Sequence, residues 1–334
     1  MNFCRLTPIA VLIVAFSLTC SAEPVATSSL KTAVTQKNSP ESKSKDWKAS
    51  GFLQQLHGRL QTTPKGSPSV SFVTDGMLYV GASLAYKDLG LRYSVPFTGY
   101  SGNGNGGERA HTSHFVTGLS QNFRSIRLRG DYGRYQGFKL EDERWKDMNG
   151  NPLAFNDSSM RLEHANLQMS FSLQNKDFDF RKFEDYKFKG SASKTMFYGF
   201  SFYQRQRIET GKGLYSAQFR RSLEPQSTLI SGRLESLGAG LGWTVAKPVR
   251  RGALYSDFNL GVGPERQKAT WSDHKGSDTV ISGRGYISAG YGLAIAKSIF
   301  MDLNFETSYY YSKVEKDEVR TSMTKILVSL LSEF

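Results

Sequence analysis

Cysteine is almost absent from this chain, and long hydrophobic runs are scarce. Among its 334 residues only Cys4 and Cys20 are cysteines, and both fall in a segment that we expect to be removed. The remaining chain could form neither a disulfide nor a cysteine-ligated metal site. Beyond residue 22, no stretch approaches the roughly eighteen consecutive apolar residues of a membrane-spanning helix. A place in a membrane would therefore depend on β-strands.

The first 22 residues have the layout of a secretory signal peptide. Arg5 supplies a positive charge, Ile9 to Leu18 form an apolar core, and Cys20 to Ala22 are small residues of the kind found at a cleavage site. The core is too short for a transmembrane helix, which needs ~20 residues. Lipid modification of Cys20 is an alternative, but the residues before it place leucine one position late. We expect cleavage before Glu23 and export.

Residues 23–48 differ in composition from the rest of the chain. They are rich in serine, lysine, threonine and alanine, contain Pro24 and Pro40, and carry almost no large apolar side chains. Such a segment buries too little surface to offset the entropy of ordering. We predict a disordered periplasmic leader, with a tail that binds peptidoglycan or a partner protein as the alternative.

From about Gly51 onward, apolar residues alternate with polar or small ones. Leu237, Ala239, Leu241, Trp243 and Val245 alternate with glycines and a threonine. Successive side chains of a strand point to opposite faces, so a repeated period of two predicts strands. Similar alternation occurs at 78–86, 91–97, 126–132, 164–173, 196–207, 254–262, 287–295 and 301–309.

The gaps between these stretches alternate in length. The short gaps contain 87–89, 124, 247–248 and 296–298, and the long polar ones are 98–110, 139–159, 264–279 and 312–320. Short periplasmic turns and long external loops are typical of membrane barrels. We therefore predict an all-β fold over residues 49–334, a transmembrane antiparallel up-and-down β-barrel of about twelve strands, with ten or fourteen as alternatives.

The C-terminal strand carries a further resemblance. Ile326, Val328, Leu330 and Phe334 share one face, and Lys325, Ser329 and Glu333 share the other, although Leu327 and Leu331 blur the pattern. A chain that ends on such a strand resembles the closing strand of bacterial outer-membrane β-barrels. The resemblance implies an outer-membrane location, and it implies that the barrel-assembly machinery reads this strand as an insertion signal.

Aromatic residues make up 13% of the chain and lie near many strand ends. Tyr86, Phe97, Phe138, Tyr309 to Tyr311 and Phe334 suit the aromatic girdles of a membrane barrel. A soluble lipocalin-like or sandwich protein is the alternative, and it would turn its apolar face inward.

Two short motifs resemble a family of uncharacterised bacterial outer-membrane barrels, known only as a domain of unknown function. The first is the hairpin at 81–93, with its Tyr-Lys-x-Leu-Gly-Leu core, and the second is the turn at 190–194. The chain departs from the second motif because Ser193 is reached without an internal glycine. The family has no assigned activity, so the resemblance implies only architecture and location.

Charged residues occupy the polar face of several predicted strands. The set comprises Arg92, Arg127, Arg129, Arg205, Arg207, Asp131, Asp257, Asp302 and Glu306. One interpretation is a basic constriction that selects small anions in a pore. The other is a network of paired charges that plugs a narrow lumen, since buried charges must be paired.

The formal net charge of +13 suits contact with outer-membrane lipids and lipopolysaccharide phosphates. The basic residues are spread over strands and loops, so we expect no nucleic-acid partner. We also expect no cofactor and no metal site, because the histidines are isolated and lack ligand spacing.

One weak catalytic candidate exists. His111 and Ser113 are two residues apart, as in the His-x-Ser arrangement of outer-membrane lipid A deacylases, where the histidine is the base for the serine nucleophile. The asparagine expected after the serine is His114 here. We expect a structural barrel or a narrow pore for small anionic solutes and no enzyme activity. The alternatives are a lipid-modifying hydrolase and a surface receptor or adhesin that acts through its long loops.

Overall fold

A computed structural model describes residues 47–63, 69–74, 77–87, 89–97, 113–123, 125–140, 156–173, 180, 183, 187, 193–211, 229–249, 252–314 and 317–333. At positions 77, 113–116 and 156–158 it describes the backbone alone. The predicted signal peptide, most of the predicted leader and Phe334 lie outside these residues.

Strands make up nearly all of the described chain. They are β1 (Trp47–Thr63), β2 (Val70–Val73), β3 (Met77–Tyr86), β4 (Leu89–Pro96), β5 (Ser113–Asn122), β6 (Ile126–Leu140), β7 (Asn156–Ser172), β8 (Lys194–Glu209), β9 (Leu229–Val249), β10 (Gly252–Trp271), β11 (Lys275–Ala296), β12 (Ile299–Val314) and β13 (Asp317–Glu333). Each strand pairs antiparallel with its neighbours, and β13 pairs with β1, so the sheet closes into a barrel.

The ring has twelve strands over most of its height, as predicted, and the thirteenth strand is short. Both β2 and β3 pair with β1, with a one-residue shift of register between them, so together they form one interrupted strand. β2 also pairs with the end of β6. Among the described residues, β4 and β5 do not reach this level, and the ring there consists of ten strands.

The two ends of the barrel differ. The connections at 87–88, 123–125, 250–251 and 297–298 lie at the end that also holds Trp47 and Glu333, which we call the turn end. The longer connection between β7 and β8 is at this end as well. The opposite end, where β2 meets β6, is the loop end. The short predicted gaps therefore fall on one side, as expected.

Apolar side chains face outward around the barrel. Leu237, Leu241, Val262 and Ile281 are 64–69% exposed, and the inward positions between them are small or polar. Lipid favours this arrangement, and all backbone groups of a closed barrel are paired. The fold is thus a transmembrane barrel, and the soluble alternative, with its apolar face inside, is wrong. Ile326, Val328 and Leu330 also face outward.

Two of the predicted long loops are mostly strand. The predicted loop at 264–279 instead continues β10 to Trp271 and begins β11 at Lys275, and the one at 312–320 contains the ends of β12 and β13. The outward apolar residues, such as Leu237, Leu241, Val262 and Ile281, form what we call the apolar outer band. These strands extend past that band, and their outward side chains beyond it are polar. A strand without an apolar face resembles a loop in sequence. Most of the other two predicted loops lies outside the described residues.

A bulge changes the phase of β6 near the loop end. Gly137 has a φ of 83°, and the register with β7 shifts between Gln136 and Phe138. A positive φ suits glycine, and the change of phase at Gly137 turns Phe138 into the interior, where it is fully buried. The prediction that Phe138 belongs to a surface girdle is wrong. Tyr310 also faces inward, whereas Tyr86, Phe97 and Tyr309 are exposed.

Three described residues between β7 and β8 are helical, namely Phe180, Phe183 and Lys187. Their spacing of three and four residues puts them on one face of a helix. Phe180 and Phe183 are buried. Among the described residues, no helix is long and apolar enough to cross a membrane.

Candidate functional site

An aromatic ladder on β8 faces the lumen. Tyr198 and Phe200 are at most 1% exposed and lie against β9, where Gly242 and Gly240 pair with them. A Cβ on Gly242 would be 2.2 Å from Tyr198 Cζ, and one on Gly240 would be 2.6 Å from Phe200 Cζ. Only glycine leaves room for these rings to lie flat on the neighbouring strand.

This ladder overturns the predicted phase of β8. We expected its aromatic face outside and Arg205 and Arg207 in the lumen. Instead both arginines face outward, and their side chains are 41% and 47% exposed. The prediction failed because both faces of β8 are apolar at its turn end, where Phe197 is 50% exposed. When both faces of a strand are apolar, the period-two pattern alone does not show which face points into the lumen.

Tyr198 of the aromatic ladder contacts a buried ion pair. Arg127 Nη2 is 3.2 Å from Asp257 Oδ2, with side-chain exposures of 2% and 9%. Arg129 Nη1 reaches the same oxygen at 3.4 Å, and Tyr198 donates its hydroxyl hydrogen bond to Oδ1. The Arg127 guanidinium also lies over the rings of Phe180 and Tyr198, 4.9 and 5.2 Å from their centroids. Asp257 therefore joins two arginines and a tyrosine.

A second network crosses the lumen beside the first. Asp131 Oδ2 is 2.8 Å from His164 Nε2, and Asp131 Oδ1 accepts a hydrogen bond from Asn166 at 3.0 Å. Arg284 on β11 donates to Asn166 Oδ1 at 2.6 Å and to Gln168 Oε1 at 3.0 Å. These bonds join β6, β7 and β11, which are not all neighbours in the sheet, so they connect opposite walls.

A third group of polar residues lies on the last strands. Lys325 forms an ion pair with Glu306, which also accepts a hydrogen bond from Asn304 at 2.7 Å. Tyr255 donates to Asp302 at 2.6 Å. Together the three networks satisfy most of the charges that the lumen contains, as burial requires.

Space remains beside these networks. A cavity of about 500 Å³ extends to the turn end, where Lys48 and Lys87 line it. Its wall on β3 to β5 is built from small residues, namely Ser83, Ala85, Gly90, Gly118 and Ser120. Arg92 enters from this wall and lies 5.2 Å from the centroid of Phe52. The Asp131 side chain is 41% exposed although it faces inward, so water reaches the cavity.

The loop end of the lumen is filled by apolar side chains. One continuous buried cluster contains Leu60, Val70, Phe72, Tyr135, Phe138, Met160, Leu162, Ile208, Leu229, Leu234, Ala269, Trp271, Tyr310, Val314 and Val319. Its members come from nine strands on opposite walls, and none is more than 6% exposed. We call this group the apolar closure.

One carboxyl group is buried beside the apolar closure. Glu265 on β10 is inaccessible to solvent. Its Oε1 accepts hydrogen bonds from Gln267 at 2.8 Å and from Ser312 at 2.5 Å. Its Oε2 makes no hydrogen bond among the described residues, so this buried carboxyl group is only partly satisfied.

The predicted lumen residues are mostly in place. Arg92, Arg127, Arg129, Asp131, Asp257, Asp302 and Glu306 face the interior, whereas Arg205 and Arg207 do not. The prediction missed Arg284 and the lumen role of His164 and Lys325. Arg284 stands between two glycines in an alternating stretch, which is a readable sign of an inward polar position.

The structure leaves the catalytic candidates untested. His111 lies outside the described residues, and Ser113 begins β5 with only its backbone described. The described side chains include no group of three or more histidine, cysteine, aspartate or glutamate residues that could hold a metal ion.

No family model matches this chain, and no curated protein matches it. Comparison with solved structures finds similarities at low scores. The outer membrane protease OmpT from Escherichia coli has 7% identity and a TM-score of 0.37, with coverage of 87% of this chain and 98% of that one. Neisserial surface protein A has 9% identity, a TM-score of 0.26, and coverage of 85% and 97%.

The attachment invasion locus protein Ail of Yersinia pestis is a third structure that this comparison finds. It has 15% identity and a TM-score of 0.24, with coverage of 62% of this chain and 98% of that one. Similarities this low carry no information about activity, and the family resemblance of the hairpin at 81–93 stays a prediction.

Proposed function

We propose that this chain is an integral outer-membrane β-barrel whose lumen is closed towards the loop end, so that it serves as a structural barrel rather than a diffusion pore. The apolar closure is the observation that carries this proposal. Pores for hydrophilic solutes have polar, hydrated walls, whereas an apolar constriction excludes water.

The free-energy cost of hydrating the apolar closure supports the proposal. Phe72, Phe138 and Trp271 are at most 6% exposed within the apolar closure. Exposing a large apolar side chain to water costs about 1.5–3 kcal/mol. Hydrating three of them would cost about 5–9 kcal/mol, so an open state would hold fewer than roughly one molecule in a thousand.

Three features support the outer membrane as the location. The predicted signal peptide implies export, the final strand presents Ile326, Val328 and Leu330 to lipid, and the mature chain would lack cysteine. The strands that extend past the apolar band at the loop end suit the external side of such a membrane.

Conductance measurements test the closure. The mature chain is refolded, shown to be folded by heat-modifiable gel migration, and inserted into a planar bilayer. We expect no conductance steps. A variant with Leu60→Ser, Phe72→Ser and Phe138→Ser places hydroxyl groups in the closure and should conduct once it is shown to fold. Steady conductance of the unsubstituted barrel would refute the proposal.

Binding of a small anion from the turn end is a second candidate function. Arg92 lines the cavity and forms no ion pair among the described residues, while small side chains around it leave room. Titration of the refolded barrel with inorganic phosphate, followed by calorimetry, tests this idea. Binding that disappears in Arg92→Gln would support it, and the absence of binding by the unsubstituted barrel would exclude phosphate as the solute.

A further inference from the structure

Cations face one another on the outer surface near the loop end. Arg207 on β8 pairs in register with Arg233 on β9, and Arg233 pairs with Lys268 on β10. We call these three residues the basic row. Directly opposed side chains on neighbouring strands have Cβ atoms about 4.5–5.5 Å apart, and like charges at that spacing destabilise a sheet.

Carboxylates compensate only part of this charge. Arg207 forms an ion pair with Glu209, and Arg233 forms one with Glu235. Lys268 has no ion-pair partner among the described residues. The row therefore keeps an uncompensated positive charge that an added anion would neutralise.

The basic row lines a depression of about 590 Å³ on the outer wall. The charged side chains that line it are Arg205, Arg207, Arg233, Lys268, Lys275 and Glu209. Five cations thus surround one carboxylate in a concave surface. Arginine binds phosphate with two parallel hydrogen bonds, so such a surface suits a ligand with phosphate groups.

The depression lies beside the apolar outer band on the same strands. Tyr203 on β8, Leu237 on β9 and Val262 on β10 face outward and are 40%, 64% and 64% exposed. Leu237 follows Arg233 on β9 by four residues, or roughly 13 Å along the strand. An amphiphile could place its acyl chains on the band and its phosphates on the basic row.

We propose that the basic row binds the phosphate groups of a lipid headgroup in the leaflet at the loop end. This inference rests on the membrane location proposed above, where that lipid is lipopolysaccharide, and it is independent of whether the lumen is closed. A conducting barrel would refute the closed lumen and leave this site unaffected, so the two proposals can be refuted independently.

Binding measurements on the full mature barrel in detergent test the site. Lipopolysaccharide, the same material after removal of its phosphates, and inorganic phosphate serve as probes. The test variant carries Arg207→Gln, Arg233→Gln and Lys268→Gln. The control carries Lys247→Gln and Lys297→Gln, which removes two exposed cations from the turn end.

We expect the test variant to bind lipopolysaccharide at least tenfold more weakly than the unsubstituted barrel, and the control to change less than twofold. Removing the phosphates from the lipid should weaken binding as much as the variant does. Equal binding by the test variant, or equal binding of the dephosphorylated lipid, would overturn the proposal. Full competition by millimolar inorganic phosphate would also overturn it, by showing a site for free anions. If the test variant does not fold, the dephosphorylated lipid still tests whether binding to the unsubstituted barrel depends on the phosphate groups.

Discussion

Asp257 is the carboxylate on which the buried lumen network depends. Arg127 is 2% exposed at its side chain, and Asp257 is its ion-pair partner in the described residues. Replacing Asp257 by asparagine keeps the shape and removes the charge, so Arg127 would remain buried without a counterion. Such a change costs about 3–5 kcal/mol.

The two aromatic rings that contact Arg127 offset part of that cost. Contacts of this kind with Phe180 and Tyr198 contribute about 1–2 kcal/mol together. We therefore expect Asp257→Asn to lower the free energy of unfolding by about 1–4 kcal/mol. The assay is urea unfolding of the barrel refolded in lipid vesicles, followed by tryptophan fluorescence.

A matched control and a double variant make this prediction specific. Glu235→Gln makes the same chemical change in a surface pair whose arginine is 47% exposed, and it should cost less than about 1 kcal/mol. Adding Arg127→Met to Asp257→Asn removes both charges and should recover at least about 1 kcal/mol. The reasoning is refuted if Asp257→Asn is as stable as the original or if the two substitutions are additive.

Three further predictions concern other parts of the barrel. A Cβ on Gly240 would lie 2.1 Å from the Leu260 carbonyl oxygen, whereas one on Gly283 would meet nothing within 4 Å. In urea unfolding, Gly240→Ala should therefore lower the free energy of unfolding by at least ~1–3 kcal/mol, and Gly283→Ala should lower it by less than ~0.5 kcal/mol. Glu265 is buried, and its Oε2 makes no hydrogen bond among the described residues, so removing its charge should stabilise the barrel. Glu265→Gln should therefore raise the free energy of unfolding at neutral pH, and an equal or lower value would contradict this. Because Arg205 faces outward, Arg205→Gln should change the free energy of unfolding by less than ~1 kcal/mol, and a loss comparable with that of Asp257→Asn would place it in the lumen.

The sequence predicts the barrel well because alternation is a local property. On β6, Arg127, Arg129 and Asp131 alternate with apolar residues, and the structure turns all three inward. On β13, Ile326 and Val328 face outward as the pattern indicates. In each of these two strands one face is clearly more polar, and the less polar face contacts lipid.

The sequence predicts less where a residue's environment comes from distant strands. Both faces of β8 carry aromatic residues, and the inner face is decided by the glycines of β9 that accommodate Tyr198 and Phe200. Past the apolar band, β10 and β11 are polar outside, so their pattern resembles that of a loop. The one-residue shift between β2 and β3 depends on pairing with β1 and has no local signal.

We propose that the lumen cavity is open at the turn end and closed at the loop end. Since the mature chain would contain no cysteine, Arg92→Cys introduces a unique thiol in the cavity. Asp273→Cys introduces one on the turn between β10 and β11 at the loop end, where the Asp273 side chain is 62% exposed. Cells that express each variant are treated with a maleimide that cannot cross membranes. We predict that intact cells label Asp273→Cys and leave Arg92→Cys unlabelled, and that permeabilising the outer membrane exposes Arg92→Cys to the reagent. Labelling of Arg92→Cys in intact cells at the rate of Asp273→Cys would contradict a lumen closed at the loop end.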